Sequence, residues 1–135
     1  MNIDANGLSL YVEVHGDGPP VLLLHGFPDS GRLWRHQVPA LVAAGHRVIV
    51  PDPRGFGRSA RPSEVDAYPM PVILGGIDRL LTALEVGRTA MVGHDRGAGG
   101  RYERLEDAGH WFPLGAPDAV NRLPLEFLSS TAVTI

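Results

Sequence analysis

The chain has 135 residues, 44% hydrophobic and 20% charged, with a formal net charge of -3. That is enough for one folded domain, and it argues against disorder, nucleic-acid binding and attraction to an anionic membrane. There is no cysteine, so disulfides and thiolate metal sites are excluded.

No apolar run approaches the roughly 20 residues that a membrane-spanning helix needs. The start, MNIDANGLSL, lacks a basic stretch followed by an apolar one, so no leader is read there and a cytoplasmic protein is expected. Leu8–His15 alternates as a strand, and the run Gly16-Asp17-Gly18-Pro19-Pro20 turns it. Val21–Leu24 is continuously apolar, as in a strand covered on both faces. Leu33, Trp34, Val38, Leu41 and Val42 recur at helical spacing. The spacing predicts one helix, capped by Asp29 or Ser30, kinked at Pro39 and ended by Gly45. Val48–Val50 is the next buried strand. Ile77, Leu80, Leu81 and Leu84 predict a second amphipathic helix stopping at Gly87, and Thr89–Gly93 a further strand. Strands and helices alternating in this way predict an α/β fold, a mostly parallel sheet with helices on both faces, in one domain spanning 1–135. Neither internal repeats nor a linker divides it.

Sites in such sheets form beyond the carboxyl ends of the strands. Three segments meet there: His25-Gly26-Phe27-Pro28, Asp52-Pro53-Arg54-Gly55-Phe56-Gly57-Arg58-Ser59, and Gly93-His94-Asp95-Arg96-Gly97. The last has the layout of a nucleophile elbow with a carboxylate where serine usually sits. The ordered stretches HGFPDSGRLWRHQVPAL, PDPRGFGRS and VGHDRG resemble the N-terminal half of an α/β-hydrolase. The Asp-centred elbow is similar to that of epoxide hydrolases, with haloalkane and haloacetate dehalogenases as relatives. DAGHWFPLGAPDAVNRLPLEFL, residues 107–128, resembles the family's C-terminal end, where a Gly-His pair carries the base.

The resemblance implies Asp95 as nucleophile and His110 as general base. The backbone N–H groups of Phe27 and Arg96 would form the oxyanion hole, and His25, Gly26, Pro28, Trp34 and His94 would line the site. It also implies a small-molecule substrate, an epoxide or an organohalide, and no cofactor or metal. The chemistry suits an aspartate. A carboxylate is nucleophilic while ionised, so it attacks saturated carbon without help from a base, whereas serine with histidine attacks carbonyl carbon.

Simpler roles compete with each assignment. Asp95 is also a residue that tolerates unusual turn angles. Arg96 matches the first of two substrate-carboxylate arginines in haloacetate dehalogenases, but the second position is Gly99. His94 reads as a packed neighbour, and His15, His36 and His46 as surface residues. Gly55–Ala60 is a weak match to a dinucleotide fingerprint, since Pro62 falls where the helix should have begun. No histidine pair has zinc-ligand spacing.

Only 14 residues, Arg96–Gly109, separate Asp95 from His110. The complete family has further strands, a lid and the acid that orients the histidine in that interval, so residues 1–100 read as an N-terminal core half and 101–135 as the remnant of the histidine segment. A non-catalytic, internally deleted fragment is therefore the reading opposed to an active hydrolase. Loss of the next strand exposes one edge of the elbow strand, and a homo-oligomer through that edge, or a partly ordered C-terminal third, is expected.

Overall fold

A computed structural model describes residues 1–5, 7–25, 30–63 and 70–93, together with residues 118, 121, 122, 124, 125 and 128. Its strands are β1 Asn2–Asp4, β2 Ser9–His15, β3 Pro20–Leu24, β4 Arg47–Pro51 and β5 Ala90–Gly93. They form one sheet in the order β1-β2-β4-β3-β5. The sheet is mixed. β2 pairs antiparallel with β1 and β4, while β3 lies parallel between β4 and β5. The α/β class with helices on both faces holds, and its parallel part is the β4-β3-β5 group. The antiparallel pairings enter because β1, β2 and β3 follow one another through short connections, which only reverse the chain and leave β2 opposed to the parallel β3 and β4, whereas β3, β4 and β5 are joined through helices. β1 has no counterpart among the sequence expectations, because three residues are too few to show a period.

Alternation along the central strands sorts the core into two layers. Leu22, Leu24 and Ile49 face one side, where they pack with Leu10, Val12, Ile77 and Leu80. Val21, Leu23, Val48 and Val50 face the other side and pack with Leu33, Trp34 and Leu41. Helix α2, Met70–Ala83, supplies the first layer, and the segment after β3 supplies the second. The crossover from β3 to β4 runs to one side of β3 and the one from β4 to β5 to the other. A uniform hand of crossover therefore puts the two helices on opposite faces.

The expected single helix around Leu33–Val42 is two pieces: a 3-10 helix, Gly31–Trp34, and α1, Gln37–Ala43. The kink at Pro39 is corrected accordingly. Pro39 is the third residue of α1, in a first turn whose N–H groups have no intrahelical acceptor, so proline costs little there. Ser30 caps the 3-10 helix, its Oγ accepting from the Arg32 N–H at 3.4 Å. Near the chain's end, Leu125 and Leu128 pack against the second layer beside Val38, Val42 and Val92. Asn121 donates to the His36 carbonyl at 3.3 Å. Among the described residues no helix is long and apolar enough to cross a membrane.

Candidate active site

The order β4-β3-β5 makes β3 a switch point: the chain leaves it to one side for β4 and later returns on the other side as β5. Helices on opposite faces diverge from such a point and leave a crevice at the strands' carboxyl ends. His25 directly follows β3, Asp52 directly follows β4, and residues 94–97 directly follow β5.

Among the described residues, Asp52 is the best-connected group at this end of the sheet. Its side chain is 7% exposed, and its Oδ1 accepts from the Gly31 N–H at 2.6 Å. Oδ2 accepts from the Arg58 N–H at 3.0 Å. His25 Nε2 lies 3.4 Å from Oδ1, at the outer limit of a hydrogen bond, with the imidazole fully buried. The ring meets Phe56 edge to face, at 5.6 Å between centroids and 82° between planes. Burial opposes ionisation of Asp52. The hydrogen bonds from His25, Arg58 and Gly31 outweigh it and, with the coulombic pull of His25, hold the carboxyl below its usual value of 3.8.

Two glycines make room for this carboxylate. Gly57 has φ +50, and a Cβ there would collide with the carboxyl group of Asp52. A Cβ on Gly31 would stand 2.9 Å from Val50 Cγ1 and 3.3 Å from Asp52 Oδ1. The backbone of Asp52 is held as well. Its N–H donates to the Tyr11 carbonyl at 2.9 Å, and its carbonyl accepts from the Ser59 hydroxyl, which itself accepts from the Tyr11 N–H at 2.8 Å. Arg58 then folds back over Tyr11, its guanidinium 4.7 Å from the ring centroid and Nη1 2.6 Å from the phenolic oxygen.

Of the sequence-derived site residues, His25 and Trp34 fall among the described ones. His25 adjoins Asp52 in the arrangement above. Trp34 is 1% exposed and belongs to the core beneath it, beside Leu23 and Val50. Gly26, Phe27, Pro28, His94, Asp95, Arg96 and His110 lie outside the described residues. His15 and His36 are exposed, whereas His46 is half-buried. Asp52 itself was not among the sequence-derived site residues. Its signal is a carboxylate placed directly after a buried strand, where the chain has only begun to turn outward.

The family model for the alpha/beta hydrolase fold matches residues 19–100, more than half of the chain. The chain belongs to that family. It is 45% identical over 97 residues to an epoxide hydrolase of Caballeronia sordidicola, covering 72% of this chain and 30% of that protein. It is 43% identical over 98 residues to epoxide hydrolase A of Mycobacterium tuberculosis, covering 71% and 30%. Among solved structures, an epoxide hydrolase from Vigna radiata superposes with a TM-score of 0.70 at 39% identity, over 72% of this chain and 30% of that one. This α/β-hydrolase chain thus spans about a third of the length of the relatives it matches, and they support the epoxide hydrolase branch that its motifs resemble.

Proposed function

We propose that the chain carries the nucleophile half of an epoxide-hydrolase site, with Asp95 as the residue alkylated. The observation that carries this reading is the switch point at β3: the strand leading to Asp95 lies parallel beside it, and His25 follows it directly. The names of the relatives supply the substrate class, an epoxide.

In the proposed reaction a carboxylate oxygen of Asp95 attacks a ring carbon, forming a C–O ester bond as the epoxide C–O bond breaks. The ring oxygen keeps the electron pair and takes a proton from solvent, leaving a hydroxyalkyl ester. Water then attacks the ester carbonyl while His110 takes its proton. The tetrahedral oxyanion collapses, releasing a diol and restoring the Asp95 carboxylate. The N–H groups of Phe27 and Arg96 are assigned to that oxyanion, where loss of one donor typically costs about 10² to 10³ in rate. The same nucleophile would displace halide from a haloalkane or haloacetate, which is the alternative substrate class.

Styrene oxide with the purified protein tests the reading. Diol should appear, or an adduct on Asp95 by intact mass, and Asp95→Asn should remove both from the first turnover. His110→Gln should let the ester accumulate, since alkylation needs no base and hydrolysis does. A chain that yields neither diol nor adduct is a non-catalytic fragment, a second reading favoured by its span of 30% of the relatives' length.

A further inference from the structure

We propose that Asp52 is a positioning residue for the hydrolytic half of this reaction, its buried carboxylate tying together the two flanks of residues 26–29. The proposal rests on the reading above, which assigns an oxyanion donor to Phe27 within that span.

The geometry is specific to the carboxylate. On the near side it faces Nε2 of His25, the last described residue before the span, and on the far side it accepts the Gly31 N–H at 2.6 Å. Both ties converge on Oδ1, while Oδ2 is held separately by the Arg58 N–H at 3.0 Å. One group therefore links the chain after β3 to the chain after β4, and Ser59 and Tyr11 anchor its backbone from behind. Two of the facing partners, Gly31 and Arg58, are backbone N–H donors, which suits an ionised acceptor and is unfavourable to an amide NH₂ turned toward either of them. The glycines at 57 and 31 let the backbone approach the carboxylate where a Cβ would collide with it or crowd it.

The two chemical steps would depend on this tie differently. During alkylation negative charge moves from Asp95 to the epoxide oxygen, so an oxyanion donor beside the Asp95 carboxyl gains nothing. During hydrolysis the charge appears on the carbonyl oxygen of the Asp95 ester, where a displaced donor is felt fully. A residue that only stabilised the fold would slow both steps together.

Single-turnover experiments with styrene oxide, following the Asp95 ester by intact mass, separate these cases. In Asp52→Asn one carboxylate oxygen becomes an NH₂ facing an N–H donor. Ester formation should stay within about threefold of the parent, while ester decay should slow by about 10- to 100-fold. Equal slowing of both steps, or an unchanged decay, overturns the proposal. Amide-exchange protection at Val48–Val50 checks that the variant is folded. If it is not, His25→Phe removes one flank tie and leaves the carboxylate in place, and it should slow decay in the same selective way. If the parent forms no ester, the functional reading fails, and the tie is then read from amide exchange. Faster exchange at residues 30–34 in Asp52→Asn supports it, and unchanged exchange refutes it.

Discussion

Asp52 shows how one residue can serve several parts of the chain. A carboxylate 7% exposed is costly to ionise unless donors surround it, and here two backbone N–H groups and an imidazole do so. Its pH consequence has a definite sign. The folded-state value lies below 3.8, so the ionised form binds the fold better than the protonated one. The stability it contributes is present above that pH and is lost as pH falls through the folded value. Unfolding free energy from urea titrations should therefore decline below about pH 4, more steeply in the parent than in Asp52→Asn. An acid limb equally steep in both would assign the slope to other carboxylates.

At the scale of elements, α1 and α2 end alike with different residues. In α1 the Gly45 N–H reaches the Val42 carbonyl at 3.0 Å and the His46 N–H reaches Leu41 at 3.1 Å, with Gly45 at φ +90. In α2 the Glu85 N–H reaches Thr82 at 3.0 Å and the Val86 N–H reaches Leu81 at 2.9 Å, with Glu85 at φ +59. Both are Schellman endings, and Val86 and Leu81 lie together against the first core layer. The sequence reading ended α1 correctly at Gly45 because a glycine stood there. It placed the end of α2 at Gly87, two residues beyond the turn, because Glu85 carries no such mark. Glutamate in the left-handed region costs roughly 1 kcal/mol relative to glycine. Glu85→Gly should accordingly raise Tm by about 2–6 °C, and a lowered Tm in calorimetry would show that the Glu85 side chain does more than tolerate its backbone.

For the molecule as a whole, an exposed feature among the described residues is β5. It ends the strand order, and among the described residues nothing pairs with its outer edge. Met91 is 48% exposed, and Ala90–Gly93 contains neither charge nor proline to discourage another strand. The expected state in solution is a dimer or larger assembly through this edge. Light scattering should show it, and Met91→Lys should reduce it, since a charge beside the edge opposes pairing with a second copy. A monodisperse parent monomer with strong amide protection at 89–92 and through 101–128 would mean that the chain closes its own edge.

What the sequence determined by itself is the local and the periodic: the apolar runs of β3 and β4, the helical spacing of α2, a cap at Asp29 or Ser30, and the ordered motifs that mark the α/β-hydrolase family. Each is legible because its cause lies within a few residues, in side-chain period or turn chemistry. Tertiary structure decided the rest. The strand order, the antiparallel attachment of β2 and the division of the first helical segment depend on which surfaces meet. The grip on Asp52 joins Gly31 to a residue 21 positions away, and the Tyr11 tie to Ser59 spans 48. No local pattern announces such contacts, because the donors, Gly31 in the 3-10 helix and Tyr11 in β2, come near their acceptors only when β2, β3 and β4 pair.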